Sequence, residues 1–224
     1  DMILKLTTVA KHVSHIPEVL YFWRVHPQSV SMNINAKTYA IDAGRNAVKD
    51  NEARLGRKTE VFSSCICATH YRLEYELPEN PLVSILVVNN GSGKGLARLV
   101  DSIVKRTEYD NYEICIADFG KSSHETQQFL ALAEQEPFIQ VRRFGEDVTP
   151  AVACNQIAED VTGEYLVFLE ADMEILDPRW LNRLLMYTMQ DDIAVTGSRI
   201  IDPGKFVQEA GYIIGIGTDG IAYP

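Results

Sequence analysis

The acidic residues with the clearest chemical potential stand at the end of an apolar run. Glu170 and Asp172 follow Tyr165-Leu166-Val167-Phe168-Leu169, which has the composition of a buried strand. In an extended chain, residues two apart point the same way, so both carboxylates can face one ligand. Carboxylate oxygens beside a diphosphate are the ligands that Mg²⁺ and Mn²⁺ prefer. Two solvated loop residues, or the start of an Asx turn, explain the same spacing equally well.

Two further strand ends carry candidate groups. Asp118 ends the apolar run 112–117, where its carboxylate can accept hydrogen bonds from a base or a ribose. A turn or helix-capping role is the simpler alternative for this aspartate. Gly91-Ser92-Gly93-Lys94-Gly95 follows the run 82–88, where backbone N–H groups can cradle a phosphate. Its glycine spacing matches neither the dinucleotide fingerprint nor the P-loop, which favours a flexible turn.

The elements that must position these groups alternate between apolar runs and amphipathic stretches. The predicted strands are Leu82–Val88, Tyr112–Ala117, Phe138–Arg142, Glu164–Leu169 and Ile193–Thr196. Helical stretches lie between them, and such alternation with fully apolar strands predicts an α/β fold, a mainly parallel sheet with helices on both faces. In this architecture ligands bind beyond the carboxyl ends of the strands, where the candidate acids stand.

Capping patterns predict where three of the helices begin. Ser122 and Glu125 have the spacing of a capping box. Thr149-Pro150 and Asp177-Pro178 each place an N-cap residue before a proline at the first helical position. We therefore expect a helix to start at each of these three places.

The stiff segment Pro78-Glu79-Asn80-Pro81 marks the expected domain boundary. Before it, helical periodicity predicts a helix over 36–57, and extended patterns predict strands over 59–68 and 71–77. We expect an N-terminal extension of helix and strands over residues 1–80. The main domain then covers residues 81–224. The abrupt ends at Asp1 and Pro224 indicate an excerpt of a longer protein.

Composition excludes several classes of function. The formal net charge of −10 and the pI near 5.0 argue against nucleic acid as a partner, because such binding relies on clustered Lys and Arg. The four cysteines form no CxxC pair and read as free thiols in a reducing compartment. No apolar run approaches the roughly 20 residues that span a bilayer. The absence of a G-x-S-x-G motif gives a hydrolase little support.

Six segments, taken in order, carry a resemblance to a known family. They are Pro81–Val87, Tyr109–Asp118, Asn155–Leu169, Asp177–Leu181, Val195–Arg199 and Gln208–Gly211. They resemble the family 2, GT-A type glycosyltransferases, especially the bacterial rhamnosyltransferase-like enzymes of O-antigen and polysaccharide assembly. The run Ile16–Arg24 resembles the linker that follows a preceding transferase domain in tandem members. The resemblance covers nearly the whole chain.

The resemblance implies a Rossmann-like GT-A fold that binds a nucleotide-diphospho-sugar donor. It places the donor against Val88, Asn89, Asn90, Asp118 and Glu170. Asp172 would bind the divalent cation, Mn²⁺ or Mg²⁺, that neutralises the leaving nucleoside diphosphate. The implied acceptor is a saccharide or a lipid-linked saccharide, and the general base that deprotonates it is expected downstream of Pro224. The implied location is the cytoplasm, at the inner face of the membrane, beside a neighbouring transferase domain in a longer chain.

Several positions depart from the family pattern. Val88-Asn89 stands where the family has Pro-Thr, Phe119 replaces a second Asp or Asn, and Glu170-Ala171 replaces a pair of acids or amides. Glu209 stands where the subgroup often has His. The alternative is a degenerate GT-A-like module that binds or interacts without catalysis. A dinucleotide-dependent oxidoreductase shares the alternation of strands and helices but lacks the glycine fingerprint.

Overall fold

The chain divides into two compact units, residues 1–76 and residues 77–224. The computed structural model describes residues 1–22, 39–65, 67–89, 91, 93–120, 122–145, 147–211, 213–214 and 222–223, the last two pairs by their backbone alone. None of the helices within these ranges is both long and apolar enough to cross a membrane.

The described part of the first unit contains two helices and an antiparallel hairpin. Its elements are α1 (Met2–Val9), α2 (Tyr39–Arg54), β1 (Thr59–Ser63) and β2 (Tyr71–Tyr75). The hydroxyl of Tyr71 donates to the carbonyl of Ile41 at 2.8 Å, and the hydroxyl of Tyr75 donates to a carboxylate oxygen of Glu52 at 3.1 Å. Burial, followed by the charge of Glu52, raises the pKa of Tyr75 to about 12. These tyrosines tie the hairpin to α2.

The second unit is built on a four-stranded parallel sheet. Its larger elements are β3 (Val83–Asn89), α3 (Gly93–Arg106), β4 (Tyr112–Asp118), α4 (His124–Ala133), β5 (Ile139–Arg143), α5 (Pro150–Asp160), β6 (Tyr165–Glu170) and α6 (Trp180–Thr188). Short strands follow: β7 (Ile200–Ile201), β8 (Val207–Glu209), β9 (Ile213–Ile214) and β10 (Ala222–Tyr223). The sheet has the order β5-β4-β3-β6, and all three pairings are parallel.

Helices pack against both faces of this sheet, which confirms the predicted α/β architecture. One face packs against α3, α4 and α6 through Leu96, Leu99, Ile103, Leu130, Leu181 and Leu185. The other face packs against α5 through Ala153 and Ile157. All seven residues of β3 are buried, as its largely apolar run predicts for a central parallel strand. Each fully buried Leu or Ile contributes about 1.5–3 kcal/mol to stability.

The connections diverge between β3 and β6. From β3 the chain runs through α3 and α4 on one face to reach β4 and β5, whereas α5 on the other face leads from β5 to β6. Such a switch point opens a crevice outside the carboxyl ends of the two strands. In register, Val88 of β3 lies opposite Glu170 of β6. The topology therefore puts β3 and the Glu170–Asp172 segment at the same crevice.

Two of the three predicted helix starts are displaced. Thr149 caps α5 and Pro150 is its first residue, as predicted. The N-cap of α4 is Ser123, whose hydroxyl accepts from the amide of Thr126, so the Ser122 prediction is wrong by one residue. The helix expected at Asp177-Pro178 begins at Trp180, because the carboxylate of Asp177 accepts from the amide of Arg179 and holds a turn there.

The strand predictions fail at three places. The strand predicted over 59–68 ends at Ser63, and the one predicted over 71–77 ends at Tyr75. Residues 193–196 form no strand. The Thr196 hydroxyl lies 2.6 Å from the Thr188 hydroxyl and donates to the carbonyl of Leu184 at 3.3 Å. These contacts hold the segment against α6 in an irregular conformation.

Candidate functional site

The acidic segment after β6 forms a turn at the crevice. β6 ends at Glu170, and the amide of Met173 donates to the carbonyl of Glu170 at 3.1 Å. The amide of Ala171 donates to the carbonyl of Val88 at 3.0 Å, and the Ala171 side chain is buried. Because the chain turns at residues 171–172, Asp172 is not part of β6, and the alternation of side chains along a strand does not apply to it. The turn itself brings both acids to the crevice.

The carboxylates of Glu170 and Asp172 are exposed to solvent. Within the described ranges, neither takes part in an ion pair or a side-chain hydrogen bond. No group of three His, Cys, Asp or Glu side chains suited to a metal ion occurs in the same part of the chain. Mg²⁺ is commonly held by one or two carboxylates together with substrate phosphates and water. The two acids fit a cation that arrives with a diphosphate.

Asp118 lies at the centre of a buried polar network. One carboxylate oxygen accepts from the amide nitrogen of Asn89 at 2.9 Å and from the hydroxyl of Ser122 at 2.7 Å. The other accepts from the side chain of Gln127 at 3.1 Å. The Asn89 amide nitrogen also lies 2.9 Å from the Ser122 oxygen. The carboxyl ends of β3 and β4 are thus joined by side chains as well as by the sheet.

This network limits what Asp118 and Asn89 can touch. Both side chains are only 1% exposed, and Val88 is also buried. A nucleotide base or ribose would reach Asp118 only if the Ser122 or Gln127 contacts opened. Asn90, which was predicted to line the same pocket, lies outside the described residues. The structure brings Asn89 and Asp118 together, and it leaves Glu170 and Asp172 open to ligand.

Removing one partner of Asp118 is expected to destabilise the second unit. Gln127→Ala deletes a hydrogen bond to a buried carboxylate, and hydrogen bonds to charged groups contribute about 1.5–3 kcal/mol. We expect the lower value, about 1.5 kcal/mol, because Gln127 is only partly buried. Urea denaturation followed by circular dichroism measures the change. Gln128→Ala, an exposed neighbour on α4, is the matched control, and an equal loss in both variants would contradict the prediction.

Two other side chains at this edge, Arg143 and Phe119, have partners within the protein. Arg143, at the end of β5, makes two contacts of 2.9 Å with the carboxylate of Glu134. Phe119 stacks on Phe144 with ring centroids 5.7 Å apart and is buried against the α5 face. Burial raises the pKa of Cys115 to about 11. The site therefore offers carboxylates, and the Cys115 thiol stays protonated at neutral pH.

The glycine-rich segment after β3 is explained by packing. α3 begins at Gly93, and an added Cβ there would stand 1.8 Å from the hydroxyl oxygen of Thr126. A side chain at Gly93 would push α4 away from α3. The close approach accounts for Gly93 without a phosphate. Residues 93–95 form the first turn of α3, so the prediction of a flexible turn is wrong for them.

Sequence reasoning did not find Ser122 and Gln127 as partners of Asp118. Ser122 was assigned to a helix cap, although its hydroxyl donates to Asp118 instead. Gln127 stands nine residues after Asp118 on a different element, a spacing that follows from no local rule. Gln127 also stands in a run of five polar residues, 124–128, so its residue type does not single it out.

Comparisons with known proteins give a consistent assignment. The model of Glycosyl transferase family 2 matches residues 83–214. The uncharacterized protein y4gI of Sinorhizobium fredii is 28% identical over 208 residues, which cover 92% of this chain and 23% of that protein. The O-antigen biosynthesis protein RfbC of Myxococcus xanthus is 29% identical over 218 residues, covering 96% of this chain and 17% of that protein. The chain spans about a fifth of the length of these curated relatives.

Two solved structures are similar at a lower level. The mannosyltransferase PcManGT from Pyrobaculum calidifontis, in complex with GDP-Man and Mn²⁺, has a TM-score of 0.44 and 18% identity, covering 70% of this chain and 43% of that one. GalNAc-T7, with UDP, GalNAc and Mn²⁺, has a TM-score of 0.46 and 22% identity, covering 75% of this chain and 31% of that one.

The family match covers the parallel sheet and the crevice at its carboxyl edge. Residues 83–214 begin at the first residue of β3 and include all four strands, the Asp118 network and the turn that carries Asp172. They make up more than half of the chain. The chain therefore belongs to glycosyl transferase family 2, with the α/β, GT-A type fold that its sequence motifs predicted.

Proposed function

We propose that this chain binds the nucleotide-diphospho-sugar donor of a glycosyl transfer reaction. The diphosphate would lie at the crevice between β3 and β6, and Asp172, assisted by Glu170, would hold a divalent cation against it. The cation would neutralise the charge that develops on the leaving nucleoside diphosphate. Family membership supports the reaction class.

One observation carries the proposal: two open carboxylates stand at the topological switch point of the sheet. In a doubly wound sheet this is where ligands bind. Glu170 and Asp172 are exposed at that place, while the neighbouring acid Asp118 is buried and bound internally. Two carboxylates with no cation would repel an anionic diphosphate. A divalent cation bound between them would offset this repulsion. We therefore expect nucleotide binding to depend on metal.

Calorimetric titration of the chain with UDP and then with dTDP, each with and without Mn²⁺, tests the proposal. We expect a nucleoside diphosphate to bind only when Mn²⁺ is present. UMP and dTMP serve as controls, because they lack the diphosphate that would share the cation. A folded sample that binds neither diphosphate under any of these conditions would contradict the proposal.

The competing candidate is a GT-A-like module that has kept the fold without catalysis. Phe119, at a position where the family has a polar residue, is stacked on Phe144 inside the core, and Ala171 is buried in the acidic turn. Both positions withhold a polar side chain from the crevice. A scaffold of this kind has no need of metal-dependent nucleotide binding, so the same titration separates the two functions.

The proposal extends to the pathway and the acceptor of the transfer. We place the transfer in polysaccharide or O-antigen synthesis, with a saccharide or lipid-linked saccharide as acceptor, at the cytoplasmic face of the membrane. The name of the RfbC relative and the motifs of the sequence support this role. A neighbouring transferase domain would adjoin this one in a longer chain. The acceptor hydroxyl would attack the anomeric carbon after deprotonation by a carboxylate, a role given to none of the described residues.

A further inference from the structure

The loop that follows Asp172 is fastened to α3 at one residue. The amide of Ile175 donates to the hydroxyl oxygen of Ser102 at 3.0 Å. The carbonyl of the same residue accepts from the guanidinium of Arg106 at 2.6 Å. Both backbone groups of Ile175 are therefore bound by side chains of one helix. The Ile175 side chain is itself buried in the core between the sheet and α3.

Ser102 is a polar residue in an apolar place. Its side chain is only 4% exposed, and its neighbours Leu99 and Ile103 belong to the main hydrophobic cluster. The hydroxyl donates to the carbonyl of Leu99 at 2.8 Å while it accepts from Ile175. A buried hydroxyl is unfavourable unless it is hydrogen-bonded. The hydrogen bond from the amide of Ile175 is the long-range contact that satisfies the buried hydroxyl of Ser102.

Arg106 adds a second attachment beside the first. One arm of its guanidinium donates to Ile175, and the other lies 2.9 Å from a carboxylate oxygen of Glu174. A guanidinium holds its donors in a rigid plane, so two such contacts fix direction as well as distance. The loop is thus held both by its backbone and by the side chain of Glu174.

We propose that Ser102 and Arg106 are positioning residues for the metal-binding carboxylate of Asp172. The acidic turn is pinned on one side by the bond from Ala171 to Val88 and on the other by the bonds at Ile175. Only residues 172–174 lie between these two attachments. A ligand held in place before the cation arrives loses less conformational freedom on binding, which strengthens binding. This inference rests on the proposed function of Asp172.

The test measures Mn²⁺ affinity directly. The dissociation constant for Mn²⁺ is obtained from the electron paramagnetic resonance signal of free Mn²⁺ at a fixed concentration of UDP, or of dTDP if that is the diphosphate that binds. The Mn²⁺ complexed by the nucleotide alone is subtracted with a parallel titration that contains no protein. Ser102→Ala removes the acceptor for Ile175 and is expected to weaken Mn²⁺ binding about tenfold, the scale on which supporting hydrogen bonds act at metal sites. Arg106→Met removes the second attachment and is expected to weaken Mn²⁺ binding by a similar factor.

Ser84→Ala is the matched control. Ser84 is a fully buried serine of β3 whose hydroxyl oxygen accepts from the amide of Gly163 at 3.0 Å, at the opposite end of the sheet. It is expected to lower the melting temperature in the same way as Ser102→Ala while leaving the Mn²⁺ dissociation constant unchanged. A merely structural role for Ser102 would affect stability alone.

The outcomes separate this inference from the function on which it rests. A wild-type chain that binds Mn²⁺ neither with UDP nor with dTDP would overturn the proposed function and this inference with it. If the wild type binds Mn²⁺, and Ser102→Ala and Arg106→Met bind it as tightly as Ser84→Ala does, the proposed function stands and the positioning role is wrong. If Ser102→Ala does not fold, Arg106→Met decides alone, because its side chain is partly exposed.

Discussion

Asp172→Asn is expected to weaken Mn²⁺-dependent binding of UDP by about 100-fold, which corresponds to about 2.7 kcal/mol. The amide keeps the shape of the side chain but removes one of the two negative charges that the acidic turn offers to a cation. Since Asp172 is exposed and has no described partner to lose, the fold is expected to be unaffected. Calorimetric titration with UDP, with and without Mn²⁺, measures the change.

The control for this variant is Asp101→Asn, the same substitution at an exposed position on α3. Among the described residues, Asp101 pairs with Lys105 alone on the helix surface, a contact that contributes less than about 1 kcal/mol to stability. Asp101→Asn is expected to bind UDP and Mn²⁺ like the wild type. Equal binding by Asp172→Asn and Asp101→Asn would show that Asp172 does not bind the metal, and it would favour the non-catalytic module.

Gly163→Ala is expected to lower the unfolding free energy of the second unit by about 3 kcal/mol, the upper part of the range for overpacking. An added Cβ would stand 2.6 Å from the backbone nitrogen of Ser84 and 3.1 Å from the carbonyl oxygen of Leu82. Both atoms belong to backbone at the start of β3 and cannot rotate away. The hydrogen bond from Glu164 to Leu82, which aligns β6 with β3, would be strained.

Gly197→Ala is the matched control, because a Cβ at Gly197 meets nothing within 4 Å. Its effect is expected to stay within about 0.5 kcal/mol, as for most surface substitutions. Urea denaturation followed by circular dichroism compares the two variants with the wild type. A loss of less than 1 kcal/mol in Gly163→Ala would mean that β3 and β6 separate easily at this end of the sheet.

The sheet could be predicted from the sequence because its strands are continuous apolar runs. β3 and β4 are found within two residues of their predicted bounds, and helices lie between the strands as predicted. Where side chains compete for local backbone groups, the predictions fail. Ser122 and Ser123 both suit an N-cap, and the choice between them depends on Asp118, which takes the hydroxyl of Ser122.

The candidate site was only partly predictable. The position of Glu170 and Asp172 after an apolar run pointed to the carboxyl edge of a sheet, and the topology places them at its switch point. The burial of Asp118 was beyond sequence reasoning, since its partners come from β3, a loop and α4. Likewise, the bond between Ser102 and Ile175 joins residues far apart in the chain, and no periodicity indicates it.

The strand order of the sheet has a consequence for biosynthesis. β3 is the first strand of the second unit to leave the ribosome, yet one of its two edges pairs with β6. The pairing of residue 83 with residue 165 therefore cannot form until β6 has been synthesised. Until then one edge of a largely apolar strand stays unpaired, and such non-local pairing is slow and exposed to aggregation. The crevice at Glu170 is therefore among the last parts of the sheet to form on a nascent chain, and a pause in translation before β6 would prolong its most vulnerable stage.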